Sequence, residues 1–184
     1  MNTVEPIRDM GTVNDIADYL KSQCYRNYVM FVFGIYSGLR ISDILRLRVR
    51  DVRGKKDVYI REKKTGKEKS FPINPELRPI LNEYIKDKVD YEYLIKSAKG
   101  ENKAISRQQA YDILSKAGKK FGISKIGTHT LRKTFGYHMY QQTKDIVTLQ
   151  QIFNHASVQV TMRYIGLTKD MRDTNMRKLS FKGR

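Results

Sequence analysis

The stretch "NYVMFVFGIYSGL", residues 27–39, most constrains how this chain folds. It is apolar nearly all round, and a segment without a polar face has to be covered on every side. No apolar run in the chain reaches the roughly 18 residues that span a bilayer. Length and flanks therefore favour a central buried helix, closed by Ser37 and Gly38, and the rest of the sequence must supply its shell.

That shell is legible in pieces. "TVNDIADYLKSQ" puts Ile16, Tyr19 and Leu20 at helical spacing, with Thr12 and Asn14 as the candidate N-caps. Ser42 is placed to cap a helix over "DILRLRV", which leaves Arg40 on the short connection before it. The period then changes. "KDVYIREKKTGKEKSFPI" alternates around Val58, Tyr59 and Ile60, breaks at Lys64-Thr65-Gly66-Lys67 and resumes toward Phe71, with Pro72 tolerable at an edge. This predicts a β-hairpin.

Helical spacing returns in "NPELRPILNEYIKDK", with Pro75 inside an Asn74 cap, and in "SRQQAYDILSKAGKKFG", capped by Ser106 and ended by Gly122. Two further helices are predicted over about 128–143 and 145–154, then a short one carrying "VTMRY" and a polar one around 169–179. There is no internal repeat, low-complexity tract or interdomain linker. The expected fold is mainly α with a small antiparallel β-sheet, and the expected organisation is one domain over 1–184.

Charge narrows the partner. Lys and Arg number 36 against 19 Asp and Glu, a formal net charge of +17 spread through the chain. That balance suits a polyanion, nucleic acid first and an anionic membrane surface second. The N-terminal "MNTVEPIRDM" lacks a signal-peptide core, so a cytoplasmic protein without membrane attachment is expected. Cys24 is the only cysteine, which excludes an intramolecular disulfide, and three His without Cys partners or regular ligand spacing give no zinc case.

The chemistry centres on "GTHTLRKTFGYHMY", residues 127–140. On a helix, Leu131, Phe135 and Met139 form a buried stripe, while His129, Arg132, Gly136 and Tyr140 line a neighbouring face. Thr128 as N-cap would leave backbone N–H groups beside His129 and Arg132, an anion site. Gly136 would leave open space one turn above Arg132. His138 lies toward the apolar stripe and reads as a packed histidine. Taken alone, His-x-x-Arg is a weak signal. Its weight comes from Arg40 on the loop of "SGLRISD", Lys64 at the hairpin tip, His155 after the helix "DIVTLQQIFN", and Tyr164 nine residues later.

With these residues in this order, the sequence resembles the catalytic domain of the tyrosine recombinases, the phage integrase family. The resemblance covers about residues 12–170, through "GLRISDILRLRVRDV", "KKTGKEKSFPI", "HTLRKTFG" and "IFNHASVQVTMRYIG". It implies a DNA breaking-rejoining fold in which Arg40, Lys64, His129, Arg132 and His155 activate a phosphate and Tyr164 is the nucleophile. Lys64 is preferred to Lys63 because it directly precedes Thr-Gly and lies eight residues before Pro72. Asp43 matches the family's acidic residue after the first Arg, and it equally suits a helix N-terminus. The loop before His155 reads Phe-Asn where the family usually has Leu-Gly.

These residue types fit the implied chemistry. Attack on a phosphodiester spreads negative charge over the non-bridging oxygens, which two bidentate arginines and two histidines can hold. A tyrosine hydroxyl ionises near ~10, so it attacks well when its proton is removed or its anion is stabilised. A lysine on a hairpin can protonate the departing 5′ oxygen. The implied activity is site-specific recombination or integration through a 3′-phosphotyrosine, with no cofactor, metal or nucleotide. The implied partners are double-stranded DNA and further copies of the chain, a tetramer on paired sites. Most family members carry a separate N-terminal clamp domain, and none is expected in these 184 residues. The alternatives are a DNA-binding regulator that keeps the fold without autonomous strand exchange, and an isolated catalytic domain with topoisomerase-like activity.

Overall fold

The computed structural model describes residues 4–61, 66 and 68–180. The chain divides into two compact units, Met1–Phe135 and Gly136–Arg184. Helices α1 (Met10–Gln23), α2 (Tyr25–Ser37), α3 (Ile41–Ile44), α4 (Leu77–Ile85) and α5 (Arg107–Lys120) belong to the first, with strands β1 (Asp57–Arg61) and β2 (Glu68–Pro72). Helix α6 (Thr128–Thr143) starts in the first unit, and α7 (Ile146–Phe153), α8 (Val158–Tyr164) and α9 (Leu167–Lys178) belong to the second. The architecture is mainly helical with a two-stranded antiparallel sheet, as the patterning predicts. Among the described residues no helix is long and apolar enough to cross a membrane.

In the first unit α2 is the spine. Val29, Met30, Phe31 and Phe33 are wholly buried, each contributing about 1.5–3 kcal/mol on an area basis. α1 packs Val13, Ile16 and Leu20 against it. The cap of α1 is Asp9, whose carboxylate accepts from the Thr12 N–H at 2.6 Å and the Thr12 hydroxyl at 2.7 Å. Thr12 and Asn14 are therefore inside the helix, because a carboxylate three residues before a donor captures it more strongly than a hydroxyl does.

The hairpin pairs Val58 with Phe71 and Tyr59 with Ser70. Val58 points into the core and Tyr59 into solvent, as strand alternation requires, and Phe71 meets Phe33 edge-on at 6.2 Å. Its tip residues 62–65 and 67, Lys64 among them, lie outside the described residues. α4 buries Leu77, Leu81 and Ile85 at four-residue spacing. Asn74 does not cap it with Pro75 inside; its side chain accepts from the Glu76 N–H at 2.8 Å, forming a turn that delays the helix to Leu77. α5 starts with a reciprocal capping box between Ser106 and Gln109, and Gly122 follows it at φ +73°.

The second unit is smaller. Leu149, Phe153, Ile165 and Leu167 form its buried apolar set, with Gly136 and Thr161. α7 is capped by Asp145, which accepts from the Thr148 N–H, and α8 by Ser157, which accepts from the Val160 N–H. Gly136 is not open space. A Cβ there would lie 2.7 Å from Ile165 Cγ2 and 2.8 Å from Phe153 Cε2, so glycine is what lets these two side chains close on the helix.

Candidate active site

The cationic part of the site begins where α2 stops. Gly38 adopts the left-handed conformation, φ 62° and ψ 14°, and its N–H returns to the Gly34 carbonyl. A Cβ on Gly38 would stand 2.3 Å from Phe135 Cδ1, so both the backbone angle and the space demand glycine. Leu39 is buried, and the chain emerges with Arg40 in extended conformation at the N-cap of α3. Ser42 is thus not the cap: the Arg40 carbonyl accepts the first bonds, from the Asp43 and Ile44 N–H groups, and the helix ends after one turn. Arg40 is half-buried with one terminal nitrogen shut off from solvent, and Asp43 is buried inside that turn.

Helix α6 approaches the same turn. Leu131 fills the space that Gly34 leaves, where a Cβ would be 2.5 Å from Leu131 Cδ1. Arg132 is 4% exposed, more buried than Phe135 or Met139 on the expected apolar stripe. Its Nη1 donates to the Gly38 carbonyl at 2.6 Å, two residues before Arg40. One branch of the fork thus steadies the loop that carries the other arginine.

The helix starts at Thr128, one residue earlier than a Thr128 cap requires. Gly127 is the hinge: its carbonyl accepts from the Thr130 N–H and its N–H donates to Thr130 Oγ1 at 3.1 Å. His129 sits in this first turn with its residue surface open to solvent. Packing around the ring, then the charges of Arg107, Arg132, Lys133 and Arg40, hold its imidazole below the ordinary histidine value. Four cations acting on one ring make an environment that an anion relieves.

The tyrosine part lies wholly in the second unit. Asn154 ends α7 in the left-handed conformation at φ 52°. This is a position that glycine fills most easily and asparagine tolerates, which accounts physically for Phe-Asn standing in place of Leu-Gly. His155 follows, its N–H bonded to the Gln150 carbonyl at 3.1 Å and its carbonyl to Gln150 Nε2 at 3.1 Å. Its Nδ1 lies 3.0 Å from Thr161 Oγ1. The Tyr164 ring at the end of α8 meets His155 at 5.1 Å and Phe153 at 5.5 Å, both edge-on.

Of the residues singled out in the sequence, Arg40, His129 and Arg132 gather in one unit, and His155 and Tyr164 touch in the other. Asp43 is packed beside Arg40 in the chain, and Lys64 lies outside the described residues. His138 is half-buried, edge-on to Tyr137 at 5.3 Å. Among the described residues no three His, Cys, Asp or Glu side chains form a metal site. Sequence reasoning missed Gly38 as the partner of Arg132, Arg107 as a charge on His129, and Thr161 beneath His155. A signal existed for the first: Gly34 and Gly38 stand one turn apart in an otherwise bulky helix, the mark of a close helix approach.

The profile of the phage integrase family matches residues 8–171, and the chain belongs to that family. Probable integrase/recombinase YoeC of Bacillus subtilis (strain 168) is 49% identical over 170 residues, covering 92% of this chain and 93% of the relative. Tyrosine recombinase XerA of Pyrococcus furiosus is 32% identical over 146 residues, 78% of this chain but 50% of that protein. Among solved structures, XerA recombinase aligns with TM-score 0.73 at 23% identity, covering 96% of this chain and 65% of that one. A lambda integrase dimer bound to a core site aligns with TM-score 0.70 at 16% identity, covering 98% of this chain and 51% of that one. The chain thus spans nearly all of one relative and about half of the longer recombinases.

Proposed function

We propose that this protein is a site-specific DNA recombinase that cuts and rejoins strands through a 3′-phosphotyrosine on Tyr164, without metal or nucleotide. Arg40 and Arg132 hold the non-bridging oxygens of the scissile phosphate, and His129 and His155 add hydrogen bonds as charge builds there. Asp43 supports the Arg40 loop. The Tyr164 oxygen attacks phosphorus as its proton passes to the adjoining His155, the 5′ oxygen leaves with a proton from Lys64, and the phosphotyrosine keeps the bond for resealing by a new 5′ hydroxyl.

The observation that carries this reading is the arginine pair: a buried Arg132 bonded to the Gly38 carbonyl, two residues before Arg40, with both charges acting on His129. One buried and one half-buried guanidinium acting on the same imidazole suit a doubly co-ordinated phosphate oxygen. The net charge of +17 supports double-stranded DNA as the partner. The relatives named as recombinases support the reaction, and the lambda integrase dimer on its core site supports action by more than one protomer, which we assign as a tetramer on paired sites.

The test is covalent trapping on nicked suicide DNA, first with defined duplexes and then with genomic fragments that are sequenced. Wild-type protein is expected to form an SDS-stable adduct that Tyr164→Phe abolishes. An adduct that persists in Tyr164→Phe reassigns the nucleophile. DNA retention without any wild-type adduct replaces recombination with a DNA-binding regulator, and plasmid relaxation without joining of two sites replaces it with a topoisomerase-like activity.

A further inference from the structure

We propose that Lys133 is a positioning residue for Arg132: together with Thr134 it fastens the first turns of α6 to a strap made by residues 4–8, and that grip sets the rate of strand cleavage. The proposal rests on the assignment of Arg132 to that reaction.

Residues 4–8 run without helix or strand ahead of α1 and are tied to the chain around α6. The Glu5 N–H donates to the Lys125 carbonyl at 3.2 Å, the Val4 carbonyl accepts from Lys133 Nζ at 2.8 Å, and the Ile7 N–H donates to Thr134 Oγ1 at 2.9 Å. Pro6 and Ile7 are buried, so the strap is part of the packed unit. Gly127 lets it lie close, since a Cβ there would stand 3.3 Å from Val4 Cγ1.

Arg132, Lys133 and Thr134 are consecutive, and with about 3.6 residues to a turn their side chains leave the helix in three directions. Arg132 reaches the Gly38 carbonyl at the end of α2, while the next two reach the strap. A helix held by one side chain can still tilt about that bond, whereas attachments on separate sides fix it. Lys133 is 8% exposed. Burial holds its ammonium below the ordinary lysine value, opposed by the Glu5 carboxylate and reinforced by Arg8. A methionine would fill that space without burying a charge. What the ammonium supplies is a directed bond beside Arg132, where apolar packing has no direction.

The decisive measurement is single-turnover adduct formation by the full chain on suicide DNA at saturating protein, with DNA affinity measured in parallel. Lys133→Met is expected to slow the adduct step about tenfold or more, the scale of a small misplacement of a catalytic group, while the dissociation constant stays within about threefold. Thr134→Val, which removes the acceptor of the Ile7 N–H, is expected to slow it likewise, and Thr134→Ser to keep the rate within about threefold of wild type. Because Lys133 acts through its neighbour, Lys133→Met added to Arg132→Lys should change that variant's rate by less than about threefold.

A full loss repeated on top of Arg132→Lys overturns the proposal, because Lys133 would then act on its own account. The free wild-type chain supplies a check that needs no substitution: the buried Ile7 amide should exchange its proton with solvent much more slowly than an open amide. An Ile7 amide that exchanges like an open one overturns the strap even where a variant fails to fold. A wild-type protein that forms no adduct overturns the recombinase reading, whereas an adduct formed equally fast by wild type and Lys133→Met overturns this proposal alone.

Discussion

Arg132 is held by the backbone of Gly38, 94 positions away in the chain, whereas Tyr164 is held by the rings of Phe153 and His155 just before it. The cationic group of the first unit is therefore a product of the assembled core, and its geometry exists only when α2 and the start of α6 are in contact. The tyrosine half is local, built from two short capped helices and the turn between them. Positioning charges against their mutual repulsion takes long-range bonds, while positioning one aromatic ring takes only neighbouring rings.

The largest effect that would sharpen this contrast comes from Arg132→Lys. It keeps the charge but loses the planar fork and the bond to Gly38, so single-turnover cleavage should fall on the order of 10³-fold. A rate near wild type would mean that charge alone suffices and that the long-range bond has no catalytic consequence.

Glycine substitutions probe each half separately by chemical denaturation. Gly38→Ala combines a φ of +62° with a contact of 2.3 Å to the Phe135 ring and should cost about 3 kcal/mol. Gly136→Ala gains helix propensity but drives a methyl into Ile165 and Phe153, for a net loss of about 1–2 kcal/mol. Equal losses would break the distinction between a core-dependent half and a local one.

The two halves should also differ in acid. His129 titrates in the folded protein below its ordinary 6.5, so between those values the unfolded chain binds more protons. Stability in the first unit therefore rises with pH up to about 6.5 and then levels, and His129→Gln should remove that slope. In the second unit the Asp145 cap is held below 3.8 by the Thr148 hydroxyl and then by backbone N–H groups. Its contribution is present above 3.8 and is lost only as pH falls through the lower folded value. Thermal melts across pH 4–8 report the first effect alone. The smallest change is expected from Asn154→Gly, which relieves a left-handed asparagine and should gain about 0.5 kcal/mol without altering the adduct rate.

The helical ladder of this fold is legible in the sequence because period and capping are local. Gly38, Ser106 and Gly122 end or start helices where their chemistry says they should. Local signals fail where a stronger neighbour competes, as Asp9 does with Thr12, and where a glycine serves a distant side chain. Gly136 looks like a gap in the chain and is filled by Ile165, 29 positions later. Motif spacing singles out the candidate residues, but the bond from Arg132 to Gly38 is not legible in it, since nothing periodic encodes a contact between two helices that far apart.

Helix α6 carries Thr130, Arg132, Lys133 and Thr134 inside the protein. They bond in turn to the Gly127 N–H, the Gly38 carbonyl, the Val4 carbonyl and the Ile7 N–H. An oily helix can creep around its axis with gradual loss, but this one is keyed: turning it by one residue, about 100°, would undo all four attachments together. The arginine it delivers consequently has a single setting, fixed by the chain's own backbone.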